Sequence, residues 1–137
     1  MENVSRGILL IDDHYILIKR TNKPNSKYKC FYCFPGGHLE KNETFEEACK
    51  REVYEELGVN INISKLVFEL SNEKLNKNER FYEVTFVSGK LGTGKGEEFT
   101  NREVSKYGIY EIVKVHKSEI NDILLLPKEV KNILRSL

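Results

Sequence analysis

Residues 37–59 read GHLEKNETFEEACKREVYEELGV, and this stretch marks both the ends and the faces of a helix. Thr44 is a residue type that accepts at an N-cap, and Glu47 three positions on completes a capping box. Cys49, Val53 and Leu57 recur every four residues, which gives an apolar stripe for a core. Gly58 follows at once, where a C-cap is expected. The spacing predicts a helix over 44–57.

The rest of the helix surface is acidic. Glu43, Glu46, Glu47, Glu52, Glu55 and Glu56 all lie between positions 43 and 56. At about 100° per residue, Glu52, Glu55 and Glu56 stand at i, i+3 and i+4 within one arc of about 100°. Exposed like charges at this spacing repel by roughly 0.2–0.5 kcal/mol per pair. A hard divalent cation reverses the sign of that interaction, and Mg²⁺ takes such oxygen ligands together with water and substrate phosphates. A charge run alone is most simply a solvated face. The neighbours of this one argue for a site. Arg51 can pair with a carboxylate from the adjacent turn, and Gly36-Gly37 lets backbone approach a ligand closely.

Outward from the helix, the chain alternates short apolar runs with turn-formers. Residues 7–11 and 15–18 predict two strands around the Asp12-Asp13-His14 turn. Residues 21–29 predict a loop, and 31–34 a short aromatic strand stopped by Pro35-Gly36-Gly37. After the helix, strands are expected over 61–70, 81–87 and 107–115. The glycine-rich segment 89–96 predicts a mobile loop. Pro127 suits a helix N1 position, with Val130, Ile133, Leu134 and Leu137 at helical spacing behind it.

The 137 residues predict one domain, 1–137. A net charge of +1 gives no strong field, which disfavours a dedicated nucleic-acid binder or a membrane-surface protein. No apolar run reaches the length of a membrane span and the N-terminus lacks a signal-peptide pattern, so a cytoplasmic protein is expected. Cys30, Cys33 and Cys49 are too few for a disulfide framework. Cys30 and Cys33 form a C-x-x-C without two further ligands at zinc spacing, and read as small apolar residues near a strand.

The acidic helix and its lead-in resemble the Nudix hydrolase family. Members share G-x5-E-x7-R-E-U-x-E-E-x-G-U, with U a bulky aliphatic residue. Here Gly37, Glu43, Arg51, Glu52, Val53, Glu55, Glu56, Gly58 and Val59 fill all nine specified positions, so the box covers 37–59. The resemblance implies an α/β (α+β) fold, an α/β/α sandwich with a mixed β-sheet between helices. It implies that Glu52 and Glu56 are the principal metal ligands, with Glu55 contributing directly or through water and the Gly37 carbonyl joining the shell. Arg51 and Glu43 would pair to orient the loop against the helix, with Gly58 closing the box. The implied cofactor is Mg²⁺, with Mn²⁺ as a substitute. The implied reaction is water attack on phosphorus in a nucleoside diphosphate linked to another group. In parts of the family the general base sits on a late loop, where Glu97 is preferred here and Glu98 is the alternative.

Subfamily markers narrow the substrate by elimination. Relatives that cleave ADP-ribose tend to carry a proline shortly after the box, and none is there in this chain, whose prolines are Pro24, Pro35 and Pro127. Tyr82, the first tyrosine after the box, lies farther off than in relatives acting on dinucleoside polyphosphates. Residues 17–37 do not fit the coenzyme A type. A MutT-like enzyme acting on nucleoside triphosphates is what remains, giving a nucleoside monophosphate and pyrophosphate. Arg6, Lys19 and Arg20 could meet phosphates. Tyr28, Phe31, Tyr32, Phe34, Phe81 and Tyr82 are candidates for the base, with Phe34 and Tyr82 foremost. Two alternatives stay open: an enzyme acting on RNA 5′ ends, with Lys74, Lys77, Arg80, Lys90 and Lys95 as its basic channel, or a catalytically silent nucleotide-binding regulator. A monomer and a homodimer both fit.

Overall fold

The strands alternate apolar side chains between two faces, and each face has found a helical cover. A computed structural model describes residues 2–92 and 102–137, with the backbone alone over 102–105. The strands are β1 (Glu2–Ile11), β2 (His14–Thr21), β3 (Cys30–Cys33), β4 (Gly36–His38), β5 (Val59–Asn72), β6 (Lys77–Gly89), β7 (Arg102–Ser105) and β8 (Gly108–His116). Helix α1 (Phe45–Leu57) precedes β5; a 3₁₀ helix (Lys117–Asp122) and α2 (Val130–Leu134) end the chain. Leu9, Ile16, Ile18, Tyr82 and Val84 pack against Cys49, Val53 and Leu57 of α1. Their neighbours Ile8, Tyr15, Leu17 and Phe81 point to the other face and pack against Ile120, Leu125, Val130 and Leu134. The period of two that strands impose thus builds two cores. The result is an α/β/α sandwich around a mixed sheet.

The sheet runs β5-β6-β1-β2-β8-β7, with β4 added to β1 and β3 to β2. Among the named strands β1 and β6 pair in parallel and the other described pairs are antiparallel, with one further parallel bridge between Tyr32 and Leu125. Asp12 and Asp13 carry φ of 50° and 62°, the sign that both central residues of a type I′ hairpin turn need. Leaving that turn, β1 and β2 pair through Leu10–Tyr15 and Ile11–His14 and then part. The rest of β1 takes β4 as its neighbour through Val4, Ser5 and Arg6. The rest of β2 takes β3 from Ile18 to Thr21. This divergence opens a cleft through the middle of the sandwich.

Helix α1 has the ends that its sequence specifies. Thr44 accepts from the Glu47 amide at 3.1 Å, and Glu47 accepts from the Thr44 amide at 2.9 Å. Gly58 closes it at φ 81°, in the left-handed region. The C-terminal helix departs from expectation. It covers only Val130–Leu134, and the bonds before it run from each amide to the third carbonyl back, starting at Pro127. The stripe is cut to Val130 and Leu134, while Leu137 is exposed. β4 was not expected either, because Pro35-Gly36-Gly37 has no strand propensity. Its pairing comes from two glycine backbones lying flat against Ser5 and Arg6. No helix among the described residues is long and apolar enough to cross a membrane.

Candidate active site

The cleft has a volume of about 660 Å³, and α1 and β4 supply one wall. Glu52 and Glu56, one turn apart, both line it, beside Gly36 and Gly37. Glu56 is only 6% exposed, and the Gly36 amide donates to its Oε1 at 2.7 Å. At Gly37 a Cβ would stand 2.7 Å from the Glu52 carboxyl, so glycine lets the loop lie directly against that carboxylate. Glu55 sits on the outer side, with its side chain 42% exposed and accepting from Arg51 at 3.2 Å. It is not among the residues of the cleft wall.

Arg51 ties the wall together. Its guanidinium makes two bonds to Glu43 and one to the His38 carbonyl at 3.0 Å, which pins residues 38–43 to the helix. It also donates to Glu52 at 3.0 Å. The hydrogen bond from Arg51, aided by the Glu40 amide, holds the Glu43 carboxyl below the usual carboxylate range against the opposing effect of burial.

On the floor lies a pair that the sequence did not single out. Arg6 bonds through Nε to Glu79, and its Nη1 donates to the Phe34 carbonyl at 2.8 Å. Glu79 is 5% exposed. A signal for it existed: Glu79 lies two residues before Phe81 and so shares the strand face that packs in the core. An acid on that face needs a partner, and Arg6 on the adjacent β1 supplies it. Arg20 is also buried and lines the cleft, lying 3.6 Å over the Tyr110 ring with Nη2 donating to the Tyr107 carbonyl at 3.1 Å. Tyr110 was also overlooked, although it stands directly opposite Arg20 in the β2–β8 register.

Two aromatic candidates go elsewhere. Phe34 is fully buried in the second core, edge-on to Tyr15 with ring centroids 5.9 Å apart, and meets the cleft only through its carbonyl. Tyr82 is buried under α1 with its hydroxyl donating to Glu46 at 3.0 Å. Strand alternation sends both rings into packing. Phe81 is likewise core, and Tyr32 packs at the edge of that cluster, whereas Phe31 does line the cleft. Of the basic residues, Lys77 is at the cleft. Arg80 instead lies over Phe45 on the α1 side and bonds Glu69. Glu97, Glu98 and Lys95 lie outside the described residues. Cys33 borders the cleft, and burial pushes its thiol up, away from thiolate chemistry.

Among the described residues no three acidic, histidine or cysteine side chains form a ready metal cage. The donors that could hold a metal are the carboxylates of Glu52 and Glu56 and the Gly37 carbonyl. This hard-oxygen set suits Mg²⁺, which is usually held by one or two carboxylates, with water and phosphate completing its shell.

Residues 1–131 match the NUDIX domain model, and the chain belongs to that family. It is 33% identical over 86 residues to an ADP-ribose pyrophosphatase of Methanocaldococcus jannaschii, a match covering 63% of this chain and 49% of that protein. The matched stretch therefore spans about half the length of that relative. Among solved structures, the chain resembles a NUDIX hydrolase from Nitrosomonas europaea with TM-score 0.72 and 18% identity, covering 98% of this chain and 86% of that one. It also resembles an ADP-ribose pyrophosphatase from Streptococcus suis with TM-score 0.68 and 13% identity, covering 98% and 90%. At these identities the structures speak for the fold.

Proposed function

We propose that residues 1–137 act as a single-domain, metal-dependent pyrophosphohydrolase on a nucleoside diphosphate linked to another group. The substrate is a nucleoside triphosphate or modified triphosphate, cut to the monophosphate and pyrophosphate. The observation that carries this reading is the placement of Glu52 and Glu56 in one cleft with the Gly36-Gly37 backbone. Glu52, Glu56 and the Gly37 carbonyl hold Mg²⁺, or Mn²⁺ in its place, and Glu55 contributes directly or through water. Bound there, the metal lowers the pKa of water and offsets phosphate charge. Arg51 and Glu43 hold the loop in position, Arg6 and Arg20 meet the phosphates, and Phe31 offers the base a ring surface. Glu97, with Glu98 as alternative, takes the proton of the attacking water. The free thiols of Cys30, Cys33 and Cys49 suit a reducing cytoplasmic setting.

A second reading, an ADP-ribose-type substrate, is favoured by the likeness to the M. jannaschii protein. Purified protein with Mg²⁺ and a panel of nucleoside triphosphates, ADP-ribose and 5′-triphosphorylated RNA separates these readings. Product analysis in ¹⁸O-labelled water shows which phosphorus is attacked. Monophosphate plus pyrophosphate from a triphosphate is the expected result. Silence on every compound, equal in wild type and Glu52→Gln, overturns the proposal.

A further inference from the structure

Beside the cleft lies a second recess of about 350 Å³, between the β2–β3 loop and the β7–β8 turn. Lys23 and Asn25 border it on one side, Lys106 and Tyr107 on the other, with Arg20 and Tyr110 beneath. Its charged lining residues are Arg20, Lys23 and Lys106, and no carboxylate joins them among the described residues. The chain as a whole has 22 cationic and 21 acidic residues, so a recess lined by cations alone departs from its surroundings. Such a concavity concentrates positive potential and draws anions.

The guanidinium of Arg20 carries a second, independent signal. It is 8% exposed, and its Nε is buried without a hydrogen-bond partner. Stacking on Tyr110 and the bond to the Tyr107 carbonyl fix the plane of the group, so its donors are already oriented. Arg20, Lys23 and Tyr110 line both the cleft and the recess, whereas Glu52 and Glu56 line only the cleft. A ligand extending from the acidic helix past Arg20 therefore enters the recess.

We propose that this recess binds a second phosphoryl group of the substrate, one that the cleavage step leaves untouched. The proposal rests on the nucleotide reading above and narrows it to nucleotides with a phosphate remote from the anhydride. Two sources share this chemistry, a 3′-phosphate monoester and the phosphodiester to a following nucleotide.

Calorimetry tests it without turnover. AMP, adenosine 3′,5′-bisphosphate and the 5′-phosphorylated dinucleotide pApA are titrated into the protein with Mg²⁺, with a parallel guanosine set. The added phosphoryl group is expected to tighten binding about tenfold, as one or two charged hydrogen bonds would. A gain in the monoester alone names the first source, and a gain in the dinucleotide alone names the second. Lys106→Glu, at an exposed turn, should remove the gain, and Lys23→Gln should reduce it. Equal binding of all three ligands in both sets, or a gain that persists in both variants, overturns the proposal. If AMP still binds in that case, only the recess is lost. If instead the gain is present but no nucleotide is hydrolysed, the activity reading fails and the recess stands.

Discussion

Arg51 meets the Glu43 carboxylate edge to edge, Nε to Oε2 at 2.7 Å and Nη2 to Oε1 at 3.0 Å. The same guanidinium reaches the His38 carbonyl, Glu52 and Glu55, so one side chain joins both ends of the loop to the acidic face. A lysine keeps the charge but cannot reproduce a planar fork. Arg51→Lys is therefore expected to lose about 1–3 kcal/mol of stability, read from urea unfolding. An unchanged urea midpoint would show that the fork is not supporting the loop.

The same pair gives a pH dependence. Glu43 has a folded pKa below its ordinary value of 4.5, with the Arg51 hydrogen bond as the largest cause. A depressed carboxylate contributes stability that is fully present above the ordinary value and lost as pH falls through the lower folded value. Wild-type stability should drop below about pH 4.5. Glu43→Gln should flatten that drop relative to wild type, since it removes the titrating group. Parallel curves for the two proteins would assign the acid sensitivity to other carboxylates.

Glu52→Gln and Glu56→Gln separate chemistry from folding. In Glu56→Gln the new side-chain carboxamide retains an oxygen for the Gly36 amide, so the change in stability is expected to stay within about 1 kcal/mol. Loss of a carboxylate charge at the proposed metal donors should lower kcat roughly a hundredfold or more. A chelator should silence wild type, and added Mg²⁺ should restore it. Full activity of either variant would remove that carboxylate from the metal set.

How much of this was legible depended on the range of the interaction. Thr44, Glu47 and Gly58 act on backbone within four residues, so α1 could be read with its caps. The two-face alternation of Ile8 and Leu9, or of Phe81 and Tyr82, is equally local, whereas the sandwich itself was implied by the resemblance of the box. The site was partly legible because Glu52 and Glu56 share a helix face. What escaped was the cleft itself, which exists because β1 and β2 part after Leu10–Tyr15. Nothing near those residues in the chain announces that. Glu79 and Tyr110 join Arg6 and Arg20 only across strands, and β4 forms on glycine backbone without any side-chain pattern.

Gly37→Ala tests the close approach at the box. The added methyl would stand 2.7 Å from the end of the Glu52 side chain, which can swing away. Stability should then change by less than about 1 kcal/mol, because the neighbour that yields is flexible. The carboxylate, however, leaves its place in the cleft, and displacements near 1 Å can cost about a hundredfold in rate. The expected outcome is a near-native urea midpoint with kcat reduced at least tenfold. Native kcat would mean that the Glu52 position is not set by this contact.

Tyr82 and Tyr110 give the sharpest contrast between sequence and structure. Tyr82 looked available to a substrate, yet its ring is in the α1 core and its hydroxyl is committed to Glu46. Tyr82→Phe removes that bond and leaves the ring, so it should cost about 1 kcal/mol and leave KM unchanged. Tyr110 lies under Arg20 at the cleft. Tyr110→Leu keeps apolar bulk but removes the ring on which Arg20 lies, and should raise KM severalfold with little change in kcat. Steady-state kinetics on both variants distinguish the positions. A KM effect at Tyr82 with none at Tyr110 would place the substrate against Tyr82 rather than beside Arg20 and Tyr110.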